Sequence, residues 1–336
     1  MKIQLTELRE KVFQFLSDKG LNEKDAHAFT ELVVEQELIG NRFSTIGELA
    51  GKHMRLIEKA VTGKEETAVE KNAVKLIKGN GRSAVLITND YLDDTIDKAK
   101  QKGMYALGIY DSTYNEFFDI FCRRIAAQDC IGIIVENGGP QGVVPFGGRN
   151  DITGTNPLAY GIPTHDKPIV FDAAMAMHAW GGIRLAKEAG QKLPDNAYVD
   201  KDGNVTTDPE IATAVLPFGG YKGYALNLLV DVLSGCLVRG RSGLDQPTDS
   251  ERYIGTFIIV IDPASFGDLD DFKDSTTKLV NDLLASPPAN PDEPVRVPGL
   301  RGAKRRTEFI EAGEVEIDDA AWDKFMAAFS TANKQN

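Results

Sequence analysis

The sequence predicts an α/β protein that begins with a helical segment. Over residues 2 to about 60, apolar residues recur at the spacing of amphipathic helices. After Lys64, short apolar runs rich in β-branched residues alternate with helical patterns, which is the arrangement of an α/β fold. The 336 residues are 42% hydrophobic and 26% charged, so the chain is long enough to bury one large core or two smaller ones.

Two helices are expected in the N-terminal segment. Gly20 ends the first, and Asn22 is a candidate N-cap for the second because Asp25 follows it at capping-box spacing. The apolar face of the first helix comprises Leu5, Leu8, Val12, Phe13 and Leu16, and that of the second comprises Ala26, Phe29, Leu32 and Val33.

The next stretch has two interpretations. Residues 79–84 match the letters GxGxxA that open a helix in Rossmann dinucleotide-binding folds. The apolar run 84–87 is typical of a strand, however, so we predict a hairpin of strands 74–77 and 84–87 around a tight Asn-Gly turn. The hairpin interpretation excludes a phosphate loop here.

Helices and strands then alternate through most of the remaining chain. The predicted helices lie at about 92–102, 117–128, 224–237 and 319–329, and the predicted strands at 106–110, 130–136, 169–171 and 256–261. Four aspartates between 268 and 274 are expected at an exposed helix start, where negative charge is favoured.

Composition and charge argue against several functional classes. A net charge of −12 argues against general binding to nucleic acid or anionic membranes. The charged N-terminus does not resemble a secretory signal, and the apolar run 257–261 is too short to cross a bilayer. Three cysteines and four histidines without metal-ligand spacing indicate neither a disulfide framework nor a metal site, so we expect a cytoplasmic protein.

Three glycine-rich stretches indicate a ligand site. Residues 147–163 hold four glycines and two prolines, residues 171–176 read FDAAMA, and residues 216–224 read LPFGGYKGY before an apolar helix. In the last stretch, backbone N–H groups and Lys222 suit a phosphate or carboxylate. The alternative is an irregular helix entry with a solvated lysine.

The order of these motifs resembles that of the type-2 malate/L-lactate dehydrogenase family. The motifs are PFGG at 145–148, GTNPL at 154–158, DAA at 172–174, AWG at 179–181, DG and TTDP between 202 and 209, GYKGY at 220–224 and VPG at 297–299. The resemblance implies a nicotinamide-dependent oxidoreductase and homodimer. It also implies a non-Rossmann fold like that of sulfolactate dehydrogenase, with a mixed-sheet NAD(P)-binding domain.

The resemblance also implies a domain organisation and a set of cofactor contacts. Residues 1–66 would be a helical segment packed with the C-terminal part, 67–240 the cofactor-binding and catalytic core, and 241–336 the segment that completes the fold. Either NAD or NADP would bind at Asp172, Ala173, Ala174, Lys222 and Gly223, with Phe118 and Gly138 close by. Asn156, in the glycine-rich loop, would contact the substrate.

Two histidines expected in the family are absent. Ser44 or Thr45 stands at the first position. The Arg and Tyr groups that hold the substrate after it in the family have no clear match here, and Lys52, His53 and Arg55 are the candidates for them. Tyr114 occupies the position of the second histidine, the proton acceptor. Because the unperturbed pKa of tyrosine is about 10, a nearby cation would have to lower it; a tyrosine that only fills space is the alternative.

These departures leave three functions open. The first is interconversion of a small anionic 2-hydroxy acid and its 2-oxo acid, with Tyr114 as acid and base. The second is reduction of a cyclic imine carboxylate, which needs a weaker acid because its C=N is already protonated. The third is a cofactor-binding protein without turnover.

Overall fold

The computed structural model describes residues 1–40, 46–49, 51, 53, 57, 63–139, 142–246 and 253–332. Its N-terminal part contains β1 (Lys2–Gln4), α1 (Leu5–Asp18), α2 (Glu23–Ile39) and the single-turn α3 (Ile46–Leu49). The side chain of Asn22 accepts a hydrogen bond from the backbone N–H of Asp25 at 3.0 Å. Both predicted helices and the predicted cap are therefore confirmed.

A seven-stranded mixed sheet forms the centre of the fold. Its spatial order is β2-β3-β4-β11-β5-β6-β7; β3 and β4 run parallel, and the other neighbouring pairs run antiparallel. The strands are β2 (Glu66–Lys71), β3 (Val74–Lys78), β4 (Met104–Ser112), β5 (Ile131–Glu136), β6 (Leu158–Ile162), β7 (Ile169–Ala173) and β11 (Ile254–Ile261).

The predicted hairpin after β3 is wrong. Ala84 begins the long helix α4 (Ala84–Lys102), and β3 pairs antiparallel with β2 instead. Helix α4 makes the crossover that two parallel strands such as β3 and β4 require. All four residues of 84–87 are buried, so this first helical turn is apolar all round, and periodicity cannot distinguish such a run from a strand.

Helices cover both faces of the sheet. On one face, α5 (Phe118–Ala127) approaches so closely that a Cβ on Gly132 of β5 would lie 2.6 Å from the Ile125 side chain. On the other face, Val135 packs with Val230 of α7 (Tyr221–Asp231). The alternation of side chains along β5 thus separates two cores, and the larger one also includes α1 and α2.

Helix α7 continues directly as a π-helix, Val232–Leu237, so the single helix predicted at 224–237 combines two helix types. Between β7 and α7, the chain forms a small sheet with the strand order β10-β8-β9. It comprises β8 (Tyr198–Asp200), β9 (Val205–Thr206) and β10 (Ala212–Val215), and it follows the short helix α6 (Gly182–Ala189).

The C-terminal part returns to the N-terminal helices. It contains α8 (Leu269–Leu284), α9 (Leu300–Ala312), β12 (Glu314–Glu316) and α10 (Asp319–Ala332). Strand β12 pairs with β1, and Arg306 of α9 donates two hydrogen bonds to Glu35 of α2 at 2.6 and 2.8 Å. Asp268 caps α8, as the acidic run predicts. In the part of the chain that the structure describes, no helix has the length and apolar character to span a bilayer.

Candidate active site

The segment that carries Tyr114 is anchored between β4 and α5. The backbone N–H of Asn115 donates to the carboxylate of Glu136 at 2.9 Å, and its side-chain amide donates to Oγ1 of Thr88 at 2.8 Å. Thr256 donates to the same Glu136 oxygen at 2.9 Å. These partners are buried, whereas Tyr114 is half-buried. The next residue thus fixes the backbone, while the side chain of Tyr114 stays partly accessible to solvent.

The Tyr114 hydroxyl lies against the backbone at Gly139. A Cβ added to Gly139 would lie 1.9 Å from the hydroxyl oxygen, and the φ of +91° at this residue is one that favours glycine. Gly139 directly follows Gly138, one of the predicted cofactor neighbours. The structure therefore brings Tyr114 next to that part of the predicted cofactor site.

Asn156 joins this region to α7. Its Oδ1 accepts the N–H of Gly138 at 2.9 Å, and its Nδ2 donates to the carbonyl of Asn227 at 3.0 Å. Asn227 in turn donates to the Gly154 carbonyl at 3.0 Å. The Asn156 side chain is fully buried, so in this structure both ends of its amide bind protein atoms and hold the glycine-rich loop in place.

Asp172 lies at the end of β7, beside the start of α5. Its carboxylate accepts a hydrogen bond from the backbone N–H of Asp119, next to Phe118, whose own side chain lies in the core. Burial among protein atoms raises the pKa of Asp172 to about 7, the negative charge of Asp119 adds to this, and the N–H contact opposes it. The residue nevertheless remains exposed to solvent, so the carboxyl group lies in a crowded but open recess.

Backbone hydrogen bonds connect the DAA segment to the lysine loop. Ala173 ends β7, and Ala174 is half-buried beside it. Next along the chain, the Met175 N–H donates to the Thr155 carbonyl at 2.8 Å, and the Met177 N–H donates to the Leu216 carbonyl at 2.9 Å. The three glycine-rich stretches singled out in the sequence are therefore neighbours in space.

Lys222 stands exposed in the first turn of α7. Gly219 and Gly220, with φ of +60° and +67°, form the entry to the helix, and open space surrounds the position of a Cβ on Gly219. A Cβ on Gly223 would lie 1.8 Å from the Phe218 carbonyl oxygen, so the close turn requires glycine there. The ammonium lies 5.9 Å from the Tyr221 ring centroid, and no carboxylate of the described residues forms an ion pair with it.

This arrangement fits a pyridine dinucleotide. An accessible lysine at a helix N-terminus, with glycines that leave the backbone open, suits a phosphate group. The Asp172 recess lies within the connected segments and offers a hydrogen-bond acceptor for a hydroxyl group. When bound, the nicotinamide would supply or accept a hydride.

His53 is the one predicted substrate residue of the N-terminal region that the structure describes; Ser44, Thr45, Lys52 and Arg55 lie outside the described residues. Its side chain is fully buried, and Nε2 lies 2.5 Å from Oε2 of Glu116, in the Tyr114 segment. Sequence reasoning missed both Glu116 and Glu136, because nothing in the local pattern distinguishes them from surface carboxylates.

The Gly79–Ala84 loop has the strand–loop–helix context of a phosphate loop, but its donors are already used. The N–H of Gly79 donates to the Tyr110 carbonyl at 2.7 Å, and that of Gly81 donates to the Asp111 carbonyl at 2.8 Å. A Cβ on Gly63 would lie 2.3 Å from the Arg82 nitrogen, so the preceding chain covers the loop. This packing, and not a hairpin, argues against a phosphate there.

The fold and the site together define an oxidoreductase outside the Rossmann class. The malate/L-lactate dehydrogenase family model matches residues 3–326, nearly the whole chain. The chain therefore belongs to this family, and the names of the family and its relatives indicate an NAD(P)-dependent dehydrogenase that acts on a CH–OH group.

Relatives of known activity cover most of the chain. It is 31% identical over 323 residues to the malate/(S)-sulfolactate dehydrogenase of Methanothermus fervidus, covering 93% of this chain and 94% of the relative. It is 33% identical over 228 residues to a Δ1-pyrroline-2-carboxylate/Δ1-piperideine-2-carboxylate reductase of Pseudomonas putida, covering 65% and 64%.

A solved structure confirms the fold class. The sulfolactate dehydrogenase of Methanocaldococcus jannaschii superposes with a TM-score of 0.86, covering 99% of this chain and 98% of the other, at 24% sequence identity. At this identity the likeness concerns the fold alone. The predicted mixed-sheet, non-Rossmann architecture is confirmed.

Proposed function

We propose that this protein uses NAD or NADP to interconvert a small anionic 2-hydroxy acid and its 2-oxo acid, as its family membership indicates. The observation that carries the proposal is the exposed Lys222 at the glycine-framed start of α7. The loop before it is joined at Leu216 to Met177, shortly after Asp172–Ala174, by a backbone hydrogen bond. The Methanothermus relative is a malate/(S)-sulfolactate dehydrogenase, which supports a substrate with a second anionic group.

In this proposal, Lys222 and the N-terminus of α7 bind a phosphate of the cofactor. Gly223 allows the close turn, and the end of β7 at Asp172, Ala173 and Ala174 lines the site together with the backbone near Gly138 and Phe118. Asn156 acts by holding the glycine-rich loop that forms the floor between the cofactor and the substrate. Ser44, Thr45, Lys52 and Arg55 are the candidate contacts for the substrate carboxylate.

Tyr114 is the proposed acid and base. Reduction of a 2-oxo acid needs a proton at the new hydroxyl oxygen, and oxidation needs that proton removed. The half-buried Tyr114 hydroxyl, held near Gly139, is the group at the family's histidine position that carries a transferable proton. Lys52 and Arg55 are the proposed cations beside the phenol, because Lys222 is assigned to the phosphate and the imidazole of His53 is already paired with Glu116.

The second candidate is reduction of a cyclic imine carboxylate. It is favoured by the loss of both family histidines that we infer from the sequence, and by the similarity to the Pseudomonas reductase. A protonated C=N accepts hydride without a strong acid beside it, so a tyrosine in place of histidine costs this reaction less.

Turnover measurements separate these candidates. The purified protein is incubated with NADH or NADPH and either 2-oxo acids (oxaloacetate, pyruvate, sulfopyruvate) or cyclic imines (piperideine-2-carboxylate, pyrroline-2-carboxylate). We expect oxidation of the coenzyme with an anionic 2-oxo acid, and at least a 100-fold lower kcat in Tyr114→Phe. Turnover with imines alone would favour the second candidate. Binding of the coenzyme without turnover on either panel would contradict both.

We also propose a homodimer in the cytoplasm. Helix α7 buries the polar Asn227 and Asp231, whereas six large apolar side chains of α7 and the π-helix are 38–61% exposed: Tyr221, Leu226, Leu228, Leu229, Val232 and Leu237. An exposed apolar face of this kind needs a partner, and the family resemblance supplies a second copy. The cysteines at 122, 130 and 236 are all free thiols, as suits a reducing compartment.

A further inference from the structure

His53 and Glu116 lie 63 residues apart in the sequence, and the fold brings them together as a buried pair beside Tyr114. The imidazole Nε2 lies 2.5 Å from Oε2 of Glu116. The rings of Phe29 and Phe117 flank the imidazole, with centroids at 6.1 and 5.6 Å. The pair therefore lies in apolar surroundings, where a hydrogen bond between its members is stronger than in water.

The pair adds a second anchor to the Tyr114 segment. Asn115 is held from the sheet side by Glu136 and Thr88. Glu116, the next residue, is held from the N-terminal side by His53. Two anchors in successive residues leave the preceding phenol little freedom, and its hydroxyl lies against Gly139.

We propose that His53 is a positioning residue that, through Glu116, holds the Tyr114 hydroxyl where a proton is transferred to or from the substrate. This inference rests on the proposed function, in which Tyr114 is the acid and base. It assigns His53 no contact with substrate, because its side chain is fully buried.

The surroundings of the imidazole define its role in the pair. Nδ1 of His53 is buried, and within the described part of the chain it has no hydrogen-bond partner. With a proton on Nε2, the ring donates a hydrogen bond to the Glu116 carboxylate. A buried donor of this kind orients its partner and does not carry the reacting proton.

The test uses the full-length protein and two substitutions of His53. His53→Gln keeps an N–H donor near the position of Nε2, and His53→Leu removes it at similar volume. We measure kcat and KM with the best substrate of the panel, coenzyme Kd by fluorescence, and the melting temperature. His53→Leu is expected to lower kcat by about 100-fold, the effect of a displacement of about 1 Å at the reacting group. KM and coenzyme Kd are expected to stay within about 2-fold, and His53→Gln to recover most of kcat.

Glu116→Ala serves as the second variant, since a buried leucine at position 53 can impair folding. It is expected to lose as much kcat as His53→Leu, and the double variant no more than either. Unchanged kcat in Glu116→Ala, or failure of His53→Gln to recover kcat while coenzyme still binds, would overturn the positioning role. Tyr114→Phe is measured in parallel: if it keeps full activity, the proposed role of Tyr114 fails, whereas an inactive Tyr114→Phe with an unaffected Glu116→Ala refutes the positioning role alone.

Discussion

Gly139→Ala tests the placement of Tyr114 most directly, because it moves the phenol without changing it. The added Cβ would lie 1.9 Å from the Tyr114 hydroxyl oxygen, and side-chain Cβ atoms essentially never approach another heavy atom closer than 3.0 Å. The hydroxyl must therefore move by at least 3.0 − 1.9 = 1.1 Å. A displacement of this size at a reacting group costs about 100-fold in kcat, or about 2.7 kcal/mol of transition-state stabilisation.

The same substitution also strains the backbone, so stability and activity must be separated. Residue 139 has a φ of +91°, which costs a residue with a Cβ about 1–2 kcal/mol. Gly313→Ala is the matched control: its φ is +71° and no atom lies within 4 Å of its added Cβ. Both variants should lose similar free energy of unfolding, but only Gly139→Ala should lose turnover.

The assay is steady-state oxidation of NADH or NADPH, with urea unfolding measured in parallel. In a Tyr114→Phe background the clash with the hydroxyl is removed, so Gly139→Ala should cost little further activity. Two results would refute the reasoning: wild-type kcat in Gly139→Ala, or an equal further loss when the hydroxyl is already absent.

Four further predictions test other parts of the molecule. Lys222→Met should raise the coenzyme Kd about 10- to 100-fold in fluorescence titration, while Lys304→Met, at an exposed helical lysine, leaves it unchanged. Arg82→Leu should lower the free energy of unfolding by about 3–5 kcal/mol in urea, because buried Arg82 pairs with Asp25, Glu65 and Asp90 at 2.7–3.1 Å; an unchanged midpoint would contradict this. Burial raises the pKa of Glu37 to about 7, so its folded-state pKa exceeds the unfolded one and the fold loses stability as pH rises through 7. Glu37→Gln should therefore be up to about 3 kcal/mol more stable than wild type at pH 8, and the gain should vanish below pH 4.5. Leu229→Glu should convert a dimer to monomers in light scattering, whereas Leu279→Glu, equally exposed on α8, should not.

The sequence predicted elements well where burial is one-sided. Helix α1 follows the 3.6-residue spacing of its apolar positions, and α2 starts at the cap that Asn22 provides. Prediction failed at residues 84–87, where the first turn of α4 is buried all round and its periodicity disappears. It also missed α9, which has few apolar residues and packs through long-range contacts such as the Arg306–Glu35 pair.

In the candidate site too, residues in short sequence motifs could be proposed from the sequence, whereas residues defined by distant partners could not. Lys222 and Asp172 could be proposed from the sequence because each lies in a short motif whose glycines and alanines indicate that the backbone closely approaches another group. Glu116 and Glu136 could not, since their partners are distant: His53 comes from the N-terminal segment and Thr256 from β11. Glu136 holds Asn115 and His53 holds Glu116, the two residues that follow Tyr114. We propose that Tyr114 takes the place of the family's proton acceptor. Anchors on two sides constrain this tyrosine more than a space-filling role requires, and this favours a working proton-transfer group at position 114.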